Sequence, residues 1–568
     1  MLTKSNMAPR RWQADALVAG GLVAALYGLM HLSSFAPDAY TSTAVDLGVR
    51  HLPYFAVRSV LRMLAAYGLS LLFTLTYGYV AAYNRRAERI MLPVLDILQS
   101  IPVLSFMPSV VLALVALFPR APHVGQELAS IVLIFTGQAW NMTFSYYYSL
   151  KSIPAELREA AAIQQMNGWQ RLRTLELPSA AVGLVWNSMM SWAGGWFFLM
   201  ACEMLTLGNS QFTLPGLGSY MQAAANAGDA KAMTFGLSTL IFVIVLLDQL
   251  VWRPIVAWAD KFKVELVNSG TPPRSVVLTV LRRSQMIEWL SLHIFMPLDE
   301  KLDGLVNAWL GRPKDESPGP VRTTFSYVLT AAAGLAVLLG LWKGITLLAQ
   351  LPLSVVGDLA LAAGASFLRV TAAIVIGLAW TIPVGVAIGS NPRLSAYLQP
   401  VTQIAASVPA TALFPMVLLV LLPLPFGMNW AAVALLLLGT QWYLLFNVIA
   451  GASGIPADLK ETGAVFQLTR WEKWRTLILP AIFPQLVTGL VTASGGAWNA
   501  TIVAEYQPFH GAIHKTIGLG ATIADATSAG NFPLLLAATI VLAALVVSIN
   551  RLVWRRLYRL AESRYSLL

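Results

Sequence analysis

One polar stretch occurs twice in this very apolar chain, and the two copies lie 302 residues apart. The first copy runs from Ile153 to Pro178 and the second from Ile455 to Pro480. Both begin with Ile-Pro and end with Leu-Pro. The same residue types recur between these ends at Glu159 and Glu461, Gln165 and Gln467, Trp169 and Trp471, and Arg173 and Arg475. A polar motif copied inside an apolar chain predicts two equivalent docking surfaces for a symmetric partner.

The composition indicates a membrane protein. Apolar residues make up 57% of the chain and charged residues only 11%, whereas a soluble domain carries about 25% charge. A helix of about 20 apolar residues can cross the hydrocarbon core of a bilayer. Such stretches predict six spans in each half, near 14–32, 58–82, 91–118, 128–149, 180–206 and 233–252, then 325–347, 364–388, 397–422, 429–449, 481–505 and 532–552. The predicted fold class is an all-α polytopic membrane protein of about 12 transmembrane helices.

The positive charge predicts the orientation. The net charge is +11, and the Lys and Arg residues are spread over the loops between apolar stretches rather than clustered on one soluble face. This pattern favours positive-inside topology over nucleic-acid binding. Most of the 38 Lys and Arg residues fall inside if both termini and both repeated loops face the cytoplasm. The run Ala14–Met30 is not followed by a small-residue cleavage site, so we expect a retained first helix rather than a signal peptide.

The duplication extends beyond the motif. Arg62, Gly78 and Asn84 recur as Arg369, Gly385 and Asn391, and Pro93, Pro102 and Pro108 recur as Pro400, Pro409 and Pro415, all at an offset of 307. An even number of spans gives both halves the same orientation, so the repeats are parallel and related by an axis along the membrane normal. We expect a first half at 1–262, a cytoplasmic linker at 263–323 and a second half at 324–568. The basic, apolar linker either lies on the inner membrane surface as a helix or packs beneath the spans.

The repeated stretch itself predicts a short helix on the cytoplasmic side. Pro154 suits a helix start, and Glu156 and Glu159 lie near the N-terminus, where the helix dipole favours anions. Three alanines from Ala160 favour the helix, and Gly168 is expected to end it.

This stretch resembles the Glu-Ala-Ala loop of bacterial ABC-importer permeases. Glu159-Ala160-Ala161 and Leu177-Pro178 fit that pattern in full, and Glu461-Thr462-Gly463 with Leu479-Pro480 fits it loosely. Both copies depart from it at Gln165 and Gln467, where the family has glycine. The flanking spans, with Leu61-Arg62, the Ile101-Pro102 break and Gly216-Leu-Gly218, look like the nitrate/sulfonate/taurine type. The residues expected to contact the ATPase are Glu159, Ala160, Ala161, Gln165, Gly168, Glu461, Thr462, Gly463 and Gln467.

The resemblance implies a type I ABC-importer permease fold and a non-catalytic membrane subunit of the bacterial inner membrane. Two cytoplasmic ATPase subunits, which would bind ATP and Mg²⁺, and a periplasmic or extracellular solute-binding protein would complete the importer. The chain has no Gly-x4-Gly-Lys-Ser/Thr loop of its own, so we expect no cofactor on it. The expected solute is a small anion such as nitrate, a sulfonate or bicarbonate, moved by alternating access.

Two other functions stay open on the residues alone. An ion-coupled secondary transporter of six-plus-six topology would also duplicate in parallel, but it would not need two projecting docking helices. A membrane enzyme is a third reading, although the chain contains no His-Glu-x-x-His motif and no convincing nucleophile elbow.

Polar and aromatic residues within the spans are candidates for the transport pathway or gate. They are Gln138, Trp140, Asn141, Trp196, Trp442, Trp498 and Asn499. For the tryptophans, the alternative is plain packing or interfacial anchoring.

Two carboxylates at the outer ends of spans are candidates for holding an outer gate. Glu203 and Glu505 each stand alone in an apolar segment, 13 residues before a Gly-Leu-Gly sequence. Backbone N–H groups of those glycine loops would relieve the buried charge, and contact with a ligand or proton is the alternative. The loop residues are Gly216, Gly218, Gly518 and Gly520.

Arg62 and Arg369 could attract an anion but are expected to snorkel to the interface. His510 and His514 have the i, i+4 spacing of a helical metal site without a third ligand, and we expect no metal.

Overall fold

The computed structural model describes residues 45–207, 210–262 and 338–564, together with a few isolated residues elsewhere. Nearly all of the predicted first span, 14–32, and of the linker 263–323 lies outside the described residues. Most of the span predicted at 325–347 lies outside them too, and the described part begins in the apolar helix Leu338–Leu348.

The first half consists of long helices joined by short turns. Its elements are α1 (Leu52–Tyr83), α2 (Arg85–Ser100), α3 (Val103–Leu117), α4 (Pro122–Lys151), α5 (Ala155–Ile163), α6 (Gly168–Arg171) and α7 (Leu177–Glu203), then the antiparallel hairpin β1 (Met204–Leu207) and β2 (Ser210–Thr213), then α8 (Leu217–Ala227), α9 (Ala230–Leu247) and α10 (Arg253–Ala259). A π-helical turn at Leu172–Glu176 leads into α7.

The second half repeats this order. Its elements are α11 (Ser354–Ser390), α12 (Pro392–Ser407), α13 (Ala410–Leu421), α14 (Gly427–Ser453), α15 (Ala457–Val465), α16 (Arg470–Glu472) and α17 (Leu479–Glu505), then the hairpin β3 (Tyr506–Phe509) and β4 (Ala512–Lys515), then α18 (Leu519–Ser528), α19 (Phe532–Ile549) and α20 (Arg555–Arg564). A π-helical turn at Lys473–Ile478 again precedes the long helix.

Six of the described helical segments are long and apolar enough to cross a membrane, or seven if one bent pair counts as a single span. They contain α1, α9, α11, α14, α17 and α19. Helices α4 and α7 are of similar length and hold the positions equivalent to α14 and α17 in the repeat. The chain is therefore a predominantly helical polytopic membrane protein, and its strands are confined in the described residues to the two short hairpins.

The spans predicted at 91–118 and 397–422 are not continuous helices, and the helix break expected at Ile101-Pro102 is confirmed. The first is broken between α2 and α3 at Ile101-Pro102, and the second between α12 and α13 at Val408-Pro409, where the two helices meet at 82°. Proline lacks a backbone donor and disfavours helical geometry in the residue before it, so each helix ends there. The recurring prolines therefore mark a repeated break.

The recurring asparagines are explained by helix capping. Asn84 ends α1, and its side-chain oxygen accepts hydrogen bonds from Arg86 N and Ala87 N at the start of α2. Asn391 does the same for Arg393 N in the second half. Both satisfy N–H groups that a helix start leaves unpaired.

The halves exchange equivalent contacts. In each half the first long helix packs on the fourth and the fourth on the seventh, that is α1 on α4 on α7 and α11 on α14 on α17. Between the halves, α3 packs on α17 while α13 packs on α7. This reciprocity is what a parallel twofold repeat predicts, and one apolar core joins both halves.

Candidate coupling loops and outer ion-pair clusters

The first repeated stretch, residues 153–178, is called here the first coupling loop. Its helix α5 exposes Glu159 and Ala160 and turns Ala161 inward. The helix ends in a Schellman motif, in which Met166 N donates to Ala161 O at 3.1 Å and Gln165 N to Ala162 O at 3.0 Å. Gln165 has a φ of 50°, the left-handed conformation that this motif needs. The bend is thus present although glutamine replaces glycine.

The second coupling loop, residues 455–480, ends its helix in the same way. Gln467 has a φ of 48°, and Leu468 N donates to Gly463 O at 3.2 Å. Gly463 is buried, as Ala161 is at the equivalent position, whereas Glu461 and Thr462 are exposed. Two loops of different sequence therefore hold one backbone shape.

Gly168 does not end the coupling helix, so that expectation was wrong. The turn at Gln165 ends α5, and Gly168 is the first residue of α6. Asn167 caps this short helix by accepting from Gln170 N at 2.8 Å, and Gln170 Oε1 accepts in return from Asn167 N. Thr469 and Glu472 form the same capping box in the second loop.

Glu203 lies at the centre of a buried cluster at the end of α7. It has no exposed surface, and Oε1 accepts from Ser59 Oγ at 2.7 Å and from Arg62 Nη1 at 2.5 Å. Oε2 accepts from Gly218 N at 2.7 Å, the backbone donor that the sequence predicted. Ser59 Oγ also accepts from Leu217 N, so the carboxylate joins α1, α7 and α8.

Glu505 forms the equivalent cluster in the second half. Its Oε1 accepts from Ser366 Oγ at 2.7 Å and from Arg369 Nη1 at 2.9 Å, and its Oε2 from Gly520 N at 2.8 Å. Ser366 Oγ accepts from Leu519 N, as Ser59 does from Leu217. The same four groups therefore link α11, α17 and α18.

Arg62 and Arg369 do not snorkel, and Glu203 and Glu505 do not stand alone. Both arginines are buried, and each pairs with the carboxylate of its own half. Paired and hydrogen-bonded charges can be buried at a cost far below that of isolated ones. Sequence separations of 141 and 136 residues hid these pairs.

The rest of each cluster differs between the halves but keeps the charge balanced. In the first half, Glu127 accepts from Arg62 Nε at 2.5 Å and also pairs with Arg58. The equivalent of Glu127 is Asn429, whose Oδ1 accepts from Arg369 Nη2 at 2.8 Å, and the equivalent of Arg58 is Ala365. The first cluster thus contains two arginines and two glutamates, and the second contains one of each with a neutral amide.

Glycines make room for both carboxylates. A Cβ atom added at Gly216 would lie 2.3 Å from the carboxyl carbon of Glu203, and one at Gly518 would overlap the carboxylate of Glu505. Gly216 has an extended backbone, so the requirement there is space rather than conformation. Gly218 lies two residues after Gly216, and its N–H donates to Glu203. Gly520 lies two residues after Gly518, and its N–H donates to Glu505.

Trp140 and Trp442 pack within their own halves. Trp140 lies edge-on to Phe73 with ring centroids 6.1 Å apart, and Trp442 lies edge-on to Trp380 at 6.4 Å. Both contacts join the first and fourth long helices, as the packing alternative predicts. Beside Trp140, Gln138 is fully buried and Asn141 is exposed.

Trp196, Trp498 and Asn499 lie where the halves meet. The two tryptophans are buried in the core cluster shared by both halves. Asn499 Oδ1 accepts a 2.7 Å hydrogen bond from Val103 N, at the N-terminus of α3 just after the Pro102 break. The residue equivalent to Asn499 is Phe197, so this polar link occurs once.

His510 and His514 are not on a helix. They lie in the hairpin β3–β4, with His510 in the turn at a φ of 52°. In a hairpin, an i, i+4 spacing does not bring two side chains together on one face as it does on a helix. Within the described ranges, no group of three or more His, Cys, Asp or Glu residues could hold a metal ion.

Sequence reasoning missed the serines and Glu127. Ser59 and Ser366 stand three residues before the recurring arginines and share their 307 offset, so the repeated Ser-x-x-Arg spacing was available as a signal. Glu127 and Asn429 differ in type, and an alignment at offset 302 would have been needed to pair them.

Comparison with known proteins places the chain in a family. The model of the binding-protein-dependent transport system inner membrane component matches residues 74–251 and 373–566, one stretch in each half. The chain belongs to this family.

Among curated proteins, this inner membrane component is similar to three permeases. It is 29% identical over 165 residues to the nitrate import permease protein NrtB of Synechococcus elongatus, covering 29% of this chain and 56% of the relative. It is 30% identical over 163 residues to the bicarbonate transport system permease protein CmpB of the same species, covering 28% and 55%. It is 28% identical over 162 residues to the putative aliphatic sulfonates transport permease protein SsuC of Bacillus subtilis, covering 28% and 55%. The chain thus matches about half the length of these relatives.

Proposed function

We propose that this chain is the membrane-spanning permease subunit of an ATP-driven importer and supplies both permease halves. The observation that carries the proposal is the pair of coupling loops. Each presents an exposed short helix ended by a left-handed glutamine, at the same position of a parallel repeat. Two matched projections suit a partner with two matched clefts, which is what an ATPase dimer offers.

The partners follow from this assignment. Two ATPase subunits would bind the loops from the cytoplasm and carry the ATP and Mg²⁺, and the chain itself would be non-catalytic. A solute-binding protein would deliver the solute to the outer face, where the two hairpins and the Glu203 and Glu505 clusters would lie in this orientation. Both chain termini would be cytoplasmic, in accord with the positive charge of the inner loops.

The proposed solute class is a small anion. The names of the similar permeases refer to nitrate, bicarbonate and aliphatic sulfonates, which share a compact oxyanion. Selectivity would reside mainly with the binding protein.

The proposed mechanism is alternating access. Closure of the ATPase dimer would draw the two coupling loops together and separate the outer ends of the halves. The reciprocal contacts of α3 with α17 and of α13 with α7 lie between the halves and would have to rearrange. The Asn499–Val103 hydrogen bond crosses this interface and would break or shift during the cycle. The two outer clusters would keep α8 and α18 attached to α7 and α17 as each half moves.

The test is uptake by the complete transporter reconstituted in liposomes with its ATPase and binding protein. The proposal expects uptake that requires ATP on the ATPase side and continues when an ionophore collapses the proton and sodium gradients. An ion-coupled secondary transporter would show the opposite pattern. Uptake that survives ATP removal and stops with the gradient would therefore refute the proposal.

A further inference from the structure

A buried carboxylate at the base of the first coupling loop takes no part in the contacts described above. Glu176, the last residue of the π-helical turn before α7, has no exposed surface. Its Oε1 accepts from Arg171 Nε at 2.7 Å and from Tyr83 OH at 2.6 Å. The Arg171 guanidinium also lies over the Tyr83 ring, 4.9 Å from its centre, and donates to Tyr79 OH at 3.2 Å.

These contacts join three parts of the first half. Arg171 ends α6 within the coupling loop, Glu176 leads into α7, and Tyr83 is the last residue of α1. Hydrogen bonds to a charged group are directional and stronger than neutral ones. The loop therefore cannot rotate relative to the end of α1 without breaking at least one of them.

The second coupling loop has no such charged cluster. The residues equivalent to Glu176 and Arg171 are Ile478 and Lys473. Tyr79 and Tyr83 are replaced by Val386 and Ser390. Ile478 and Val386 belong to one apolar cluster at the base of the second loop, against which Trp474 packs. The base of the second loop is thus held by apolar contacts, which have no directional preference.

Stability alone does not explain the charge. Glu176 Oε2 is buried and finds no hydrogen-bond partner among the described residues. A buried charge that is incompletely hydrogen-bonded is generally no better for stability than a well-packed apolar group of similar size. The second half shows that isoleucine fills the equivalent position in the same backbone turn.

We propose that Glu176 is a positioning residue that fixes the first coupling loop to α1, so that movement of the ATPase at this loop is passed to α1. This inference rests on the proposed function. The two loops are then unequal: a directional ionic link serves the first, and an apolar contact serves the second.

The experiment measures the coupling ratio, defined as solute molecules taken up per ATP hydrolysed, in the reconstituted transporter. Glu176→Gln keeps the shape of the side chain and removes its charge. The expected result is a fall in the ratio of about fivefold or more, with the ATPase still bound in the wild-type amount. Leu240→Gln places the same amide at a fully buried position of α9, outside both coupling loops. It is expected to lower the melting temperature of the complex and leave the ratio unchanged.

If Glu176 had a purely structural role, both glutamine variants would lower the melting temperature and leave the coupling ratio unchanged. The inference is overturned if Glu176→Gln lowers only the melting temperature and keeps the wild-type ratio. If Glu176→Gln does not assemble, Tyr83→Phe removes one donor and keeps the ring, and an unchanged ratio in that variant overturns the inference. Absence of ATP-dependent uptake by the wild-type transporter would instead refute the proposed function itself.

Discussion

Gln165 and Gln467 occupy the same left-handed backbone position in the two coupling loops, 302 residues apart, with φ values of 50° and 48°. Left-handed geometry costs a residue other than glycine roughly 1–2 kcal/mol. Both loops accept this cost at the same point, which indicates that the bend after the coupling helix is essential to the shape of the loop.

Replacing both glutamines by valine should weaken ATPase binding, because a β-branched residue is the least suited to left-handed geometry. Replacement by glycine should be tolerated, since glycine adopts this conformation without strain. Gln164→Val is the matched control, because Gln164 lies beside Gln165 in the first loop but has a φ of −74°, which valine adopts without this strain. Co-purification of the ATPase with each variant measures the effect. Equal binding by the valine and control variants would contradict the argument.

Alanine at Gly216 or Gly518 should destabilise the protein by about 1–3 kcal/mol, the usual cost of overpacking a filled site. The added methyl group would overlap the carboxylate of Glu203 or Glu505. Gly495→Ala is the control, because no atom lies within 4 Å of its added Cβ. Thermal unfolding in detergent compares the three. A melting temperature for Gly216→Ala equal to that of the control would refute the steric reading.

Arg62→Leu should cost about 3–5 kcal/mol, because it leaves the buried Glu203 without its cation. The double variant Arg62→Leu, Glu203→Leu should recover much of this loss, since it removes the charge along with its partner. Chemical denaturation or thermal melting of the wild type, Arg62→Leu, Glu203→Leu and the double variant measures the difference. Additive losses would show that the two residues act independently.

The Glu203 cluster should tolerate the residues that occupy the equivalent positions of the Glu505 cluster. Glu127→Asn together with Arg58→Ala copies Asn429 and Ala365 and keeps the charge balanced. We expect this double variant to melt close to the wild-type temperature. Glu127→Asn alone leaves one excess cation and should melt lower. A double variant less stable than the single one would show that charge balance does not govern the cluster.

The sequence predicted the repeat, the coupling loops and most span positions because these depend on local patterns and fixed offsets. It also indicated the break at Ile101-Pro102, because the proline is visible in the sequence although the apolar stretch continues through it. The Arg62–Glu203 pair was missed because hydrophobicity shows that a charge is buried but not which distant residue meets it. Gln165 departs from the glycine of the family pattern, yet the helix-ending hydrogen bonds impose the left-handed turn on it.

The most direct test of the account uses cysteine cross-linking, which is possible because Cys202 is the sole cysteine of the chain and is buried. Ala160→Cys and Thr462→Cys, both on exposed faces of the coupling helices, should each cross-link to an ATPase subunit in the assembled transporter. Ile513→Cys, an exposed position in the hairpin β3–β4 on the face proposed to lie outside, should not. Failure of both loop positions to reach the ATPase, or cross-linking of the ATPase to position 513, would contradict the central claim.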